Sequence, residues 1–229
     1  MELIPQDPNF DPAGFWTSDI YVELVGLGNA LWPAMQYGNR YEVNDVKSQA
    51  LLKLGMAGYY QSLAPCIQLE TALYFLRALN IEYPYCVMVR AYIEHVGRCH
   101  KAAKIGKQWE QDQDGAALDE GARRITAAHK IGQAAGYNVL TLVQGLRDVI
   151  SEIDAHYDKL SAYNHGDFTW HALLHKASYV VNQKQMISPS ITQWGELMQK
   201  LRSTLVYDVE WITKLLGPFI RRMSPQAEG

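Results

Sequence analysis

Apolar residues in this chain recur at steps of three and four over long stretches, and no run alternates with period two between hairpin turns. A helix turns once in 3.6 residues, so such steps gather on one face, whereas a strand would scatter them over two. Leu142, Leu146, Val149, Ile153 and Tyr157 form one such stripe. Trp194, Leu197, Leu201, Leu205, Val209 and Ile212 form another. No repeat of roughly 20–50 residues is present, which excludes a solenoid. With 48% apolar residues among 229, the chain can bury a sizeable single core. The expected fold class is therefore all-α: a bundle of about seven helices over residues 18–229, preceded by an extended arm over 1–17.

Proline and cap residues set the expected boundaries. Pro5, Pro8, Pro12 and Gly14 make the arm extended, and its Phe10, Phe15 and Trp16 call for packing onto the body or a second subunit. Thr17 or Ser18 caps a first helix that contains Pro33, and Asn44 or Asp45 caps a second. Pro65 predicts a kink or break near residue 64. Asn80 ends that run, and Pro84 opens a helix reaching Gly106. The polar stretch 107–121, with Trp109 inside it, reads as a mobile loop exposing an aromatic ring. A short basic helix over 122–135 carries Arg123, Arg124 and Lys130. One helix spans 138–164, and Asn164-His165-Gly166 stops it. Asp167 caps the next, to about Gln183, and Ser188-Pro189 opens the last, to about Met223 and kinked near Pro218.

Charge and cysteine usage narrow the class of function. A formal net charge of -3 counts against a protein that grips duplex DNA over many phosphates, while leaving room for a local basic pocket. Cys66, Cys86 and Cys99 are odd in number and lack paired spacing, so they read as free core thiols. The first residues show no basic segment followed by an apolar run, and no stretch reaches the ~20 apolar residues of a membrane span. The expectation is a cytoplasmic protein with no membrane association.

Two segments carry candidate chemistry. In Arg90-Ala91-Tyr92-Ile93-Glu94-His95 a helix places Arg90 and Glu94 one turn apart, in pairing distance, while His95 lies on a different face. In Tyr157-Asp158-Lys159-Leu160-Ser161-Ala162-Tyr163-Asn164-His165-Gly166 a helix ends in a polar cluster. There the helix dipole favours a charged His165, which suits it to carry a proton near neutral pH.

An Arg-x-x-x-Glu helix followed by a Tyr-x-x-Leu-Ser-x-x-x-His-Gly segment resembles a bacterial branch of the HEPN-like helical proteins. The likeness runs over roughly residues 60–215. Many members of that family are metal-independent ribonucleases of toxin or phage-defence type, their signature being arginine, four to six residues, then histidine. They dimerise and build the site across the interface. Arg90 and His95 have that spacing, and Lys159 stands six residues before His165 where the signature has arginine. The resemblance implies an RNA substrate, a homodimer and no cofactor. It implies catalytic roles for His165 and Arg90 first, then Glu94 and His95, with Lys159, Ser161 and Asn164 contacting the substrate. A histidine would move the ribose 2′-hydroxyl proton, Arg90 or Lys159 would steady the phosphorane, and the product would be a 2′,3′-cyclic phosphate. A binding-only relative carries the same residues.

Two other classes compete. A non-enzymatic interaction module would use the same polar groups only to tie helices together. A metal-dependent bundle enzyme would use His171 and His175, one turn apart on a helix, with His165 or Glu94 completing the site. No Glu-x-x-His, Cys-x-x-Cys or His-Glu-x-x-His pattern supports the latter.

Overall fold

The computed structural model describes residues 11, 13–127, 136–164 and 189–223, and of residues 163, 164, 189 and 190 the backbone alone. Among the described residues there are helices and turns and no strand, so the chain is an all-α bundle. No helix there is long and apolar enough to cross a membrane.

The bundle is organised round one long helix. Helices α1 (Asp19–Arg40), α2 (Val46–Gly58) and α3 (Ala64–Ala78) precede α4 (Glu82–Asp112). At about 1.5 Å per residue, α4 runs some 46 Å. After it come α5 (Gly115–Thr126), α6 (Val139–Gln144), α7 (Ile153–Asn164), the single turn α8 (Pro189–Thr192), α9 (Gly195–Leu215) and α10 (Gly217–Met223). Helices α2, α3, α5, α6, α7 and α9 all pack on α4. Its Val89, Tyr92, Ile93, Val96 and Cys99 are fully buried at the centre of the core. Cys66, Cys86 and Cys99 are free and buried, as their apolar settings predict. Burial pushes all three thiols up, Cys86 to about 12.

The predicted caps form. Ser18 Oγ accepts from the Tyr21 amide, and Asp45 Oδ1 accepts from the Ser48 amide at 2.7 Å. Pro33 lies inside an unbroken α1. Pro65 does interrupt the chain, through a π-helical segment over Tyr59–Leu63. A proline at 65 has no N–H for the carbonyl four residues back and its ring crowds that carbonyl. The carbonyl is that of Gln61, and it instead accepts from His95 Nδ1 at 2.7 Å. The widened turn thus gives the orphaned acceptor a side-chain donor from α4.

Several boundaries differ from the expectations. The end of the N-terminal arm is not extended: Gly14–Thr17 is a 3₁₀ turn that buries Phe15 against Tyr21 and Tyr74, leaving Trp16 exposed. Residues 107–121 are not a loop. Helix α4 continues to Asp112, Gln113 turns left-handed (φ 57°), and Asp114 caps α5 by accepting from the Ala116 and Ala117 amides. Trp109 is partly buried on α4, with Lys47 Nζ 4.6 Å from its ring centroid. Of the basic helix predicted over 122–135, residues 122–126 are the end of α5, which stops at Thr126; residues 128–135, Lys130 among them, lie outside the described residues. The stretch 138–164 is two helices joined by turns at 145–149, and the last predicted helix divides into α8, α9 and α10. Pro218 stands at the start of α10, just after the break at Leu216.

Gly97 explains where α6 sits. A Cβ at that position would lie 2.8 Å from the Leu142 carbonyl oxygen, so the backbone of α6 rests directly on α4. That contact fixes the following turn, and with it Asp148, beside the middle of α4.

Candidate functional site

Helices α4 and α7 bring the two predicted segments together. The Arg90 Nη2 donates to the Tyr157 hydroxyl at 2.9 Å, and that hydroxyl donates to Glu94 Oε1 at 2.7 Å. Arg90 and Glu94 also form the expected intrahelical pair, Nη2 to Oε1 3.4 Å. The guanidinium carbon lies 5.0 Å from the Tyr157 ring centroid, within cation–π range. Burial, and then the bond to Glu94, raise the Tyr157 pKa, so the phenol keeps the proton it donates.

This seam has unused hydrogen-bonding capacity. Arg90 Nε and Ser161 Oγ are both buried, and neither has a hydrogen-bond partner among the described residues. Ser161 lies one helical turn beyond Tyr157, so both project from the same face of α7. An unmet buried donor or hydroxyl costs free energy unless something else satisfies it.

The other predicted residues go elsewhere. His95 faces the π-segment, where burial lowers its pKa although its bond to the Gln61 carbonyl works the other way. Its neighbour Arg98 braces the same segment through Gln61 Oε1 and the Ile125 carbonyl. Lys159 Nζ donates to Gln193 Oε1 at 2.8 Å and lies 5.3 Å from the Trp194 ring centroid. Asn164 ends α7, and nothing is described of its side chain. His165, His171 and His175 fall outside the described residues, as does the helix expected from Asp167 to Gln183. Among the described residues no group of three histidine, cysteine or acidic side chains could hold a metal ion.

A second polar cluster lies further along α4, and sequence reasoning missed it. His100 Nδ1 is 2.7 Å from Oδ2 of Asp208 on α9, and its Nε2 is 3.3 Å from Oδ1 of Asp148 in the turn after α6. Asp208 is 0% exposed; its other oxygen lies 3.4 Å from Lys107 Nζ. Lys104 Nζ reaches Asp148 Oδ2 at 2.8 Å and the Gly145 carbonyl at 3.1 Å. Two signals for this cluster do exist in the sequence. His100, Lys104 and Lys107 share helical spacing, and Asp208 is a lone charge in an otherwise apolar step from Leu201 and Leu205 to Ile212.

Buried Glu70 and half-buried Arg202 make a third polar contact, bidentate at 2.7 and 2.8 Å, between α3 and α9. Burial opposes the guanidinium charge, but Glu70 outweighs it and the Arg202 pKa is raised. Both carboxylate oxygens are used, so this pair reads as a tie between helices.

Comparison of the chain with protein-family models, with curated proteins and with solved structures returns no match.

Proposed function

We propose that this chain is an HEPN-like protein that acts on RNA as a metal-independent endoribonuclease, with its site at the α4–α7 seam. The observation that supports this reading is the meeting of Arg90 and Glu94 with Tyr157, the first residue of the segment Tyr157 to Gly166 that carries His165. Tyr157 and Glu94 hold the guanidinium from two sides and fix its plane. A phosphate oxygen would take the open Nε position, and Ser161 would donate a further hydrogen bond. His165 would remove the 2′-hydroxyl proton, the 2′-oxygen would attack phosphorus, and the 5′-oxygen of the next nucleotide would leave, taking a proton from solvent to become a 5′-hydroxyl. Arg90 would stabilise the extra charge of the phosphorane. A second copy of the chain would complete the site as a homodimer.

The test is cleavage of single-stranded RNA by the purified full chain in EDTA. Cleavage with 2′,3′-cyclic phosphate ends is expected. His165→Ala should abolish it with helicity unchanged, and Arg90→Lys should slow it by about 10²–10³-fold, the range for losing one preorganised donor. Wild-type protein that binds RNA without cutting it would mark a catalytically inactive relative. Protein that neither binds nor cuts RNA, with Arg90 variants affected only in stability, would leave the seam as a tie between helices and the chain as an interaction module.

A further inference from the structure

The cluster around His100 lines a cavity of about 410 Å³ between α4, the turn after α6 and α9. Lys104, Lys107, Ser203, Thr204 and Tyr207 open onto it with His100. The arrangement is asymmetric. Asp208 is wholly buried behind the imidazole and accepts from Nδ1, which fixes the ring plane and leaves Nε2 directed at the cavity side. Asp148, in front, is half-exposed and comes from a non-helical turn.

Carboxylates at both ring nitrogens are hydrogen-bonded only when the ring carries both protons, because a neutral imidazole donates once. Three donors then converge on the cavity: His100 Nε2–H and the ammonium groups of Lys104 and Lys107. The Asp148 carboxylate has two oxygens and uses both, Oδ1 on His100 and Oδ2 on Lys104. It leaves Lys107 to a long contact with Asp208 and to the faces of Tyr207 and Trp211. A planar carboxylate therefore satisfies two of three cationic donors, whereas a tetrahedral anion offers an oxygen to each.

We infer that this cavity is a phosphate-binding site in which the Asp148 carboxylate is a built-in competitor that a ligand's phosphate group displaces. Asp208 acts as a positioning residue: it holds His100 so that Nε2–H meets the phosphate, and it does not touch the ligand. With Asp148 swung out to solvent, Lys104 and Lys107 are left at the mouth of the site beside the His100 ring, with Asp208 buried behind it. The energetic logic is that of an anion exchanged for an anion in one set of donors, so little desolvation is added on binding. This site is separate from the α4–α7 seam. Ten residues of helix, or about 15 Å, lie between Arg90 and His100.

The experiment uses the full chain and inorganic phosphate, with acetate and chloride at matched ionic strength as controls. The His100 ring resonances are assigned by difference from His100→Gln. In the wild type, phosphate should shift them more strongly than acetate does. In Asp148→Asn, which removes the competitor at an exposed position, phosphate affinity should rise by about tenfold, and Lys107→Gln in that background should lose a similar factor. Lys107→Gln should leave acetate binding unchanged, because the third donor serves only a tetrahedral anion. Asp148→Asn protein that melts as a folded chain, yet whose His100 signals ignore phosphate, would overturn the inference. So would equal affinity for phosphate and acetate.

Discussion

The two polar clusters on α4 differ in where their carboxylates sit. Glu94 and Arg90 are both partly exposed, so water can screen their pair, while the Tyr157 hydroxyl they share is buried. Asp208 is sealed between His100 and Lys107. A carboxylate in that position cannot fall back on solvent if its partners go, nor can a buried imidazole easily lose its acceptor. The seam is therefore the cluster free to exchange partners at its Arg90 and Ser161 positions. The other cluster is a rigid base with one exchangeable face. Removing each carboxylate should separate them sharply. Asp208→Ala should cost about 3–5 kcal/mol of stability, the range for breaking a buried ion pair from one side. Glu94→Ala should cost about 1 kcal/mol or less, since the ion pair it breaks with Arg90 is partly exposed to water. Urea unfolding of the two variants measures this, and similar losses would erase the distinction.

A smaller change sharpens the comparison from the seam side. Tyr157→Phe removes the one group that both accepts from Arg90 and donates to Glu94, while keeping the ring under the guanidinium. The stability loss should be about 0.5–1.5 kcal/mol, the net worth of such hydrogen bonds. RNA cleavage should fall by about tenfold or more, because an arginine held by one partner rather than two is less well placed for a phosphorane. A stability loss with unchanged cleavage would show that the hydroxyl only ties α7 to α4.

Helical content was legible because the apolar stripes are long, and the Arg90–Glu94 pair because it depends only on spacing within one helix. What escaped depends on tertiary context. Residues 107–121 read as a loop because α5 buries Leu118, Gly121, Ala122 and Ile125, a stripe with only two large apolar members. It can be so lean because Gly121 lets the helix close on Ile105, whose side chain would meet an added Cβ at 2.9 Å. The break in 138–164 hid for a different reason. Across it the amides of Leu146, Arg147 and Val149 bond three residues back, and the buried face passes from Leu146 through Ile150 to Ile153, leaving Val149 of the expected stripe exposed. Asp208 was visible as an anomaly in an apolar stripe, but its partners lie 108 and 101 residues away. No local rule links them. Tyr157 stood in the motif, yet only packing of α7 on α4 makes it the hinge of the seam.

The smallest expected effect concerns His95, which shares α4 with both clusters and serves neither. Its Nδ1–H supplies the donor that Pro65 cannot give to the Gln61 carbonyl, and burial holds its pKa below the ordinary 6.5, with Arg98 adding to the effect and Glu94 opposing it. The unfolded chain therefore takes up the proton first as pH falls. The stability tied to a neutral His95 is complete above about pH 6.5 and is lost as pH drops through the lowered folded value. His156 is shifted the same way by burial and adds to the same slope. Urea midpoints should thus decline between about pH 7 and pH 5. A glutamine at 95 can still donate to the Gln61 carbonyl and does not titrate, so His95→Gln should flatten part of that decline while His156 keeps the rest. An unchanged slope would mean that the π-segment holds without regard to the charge on His95.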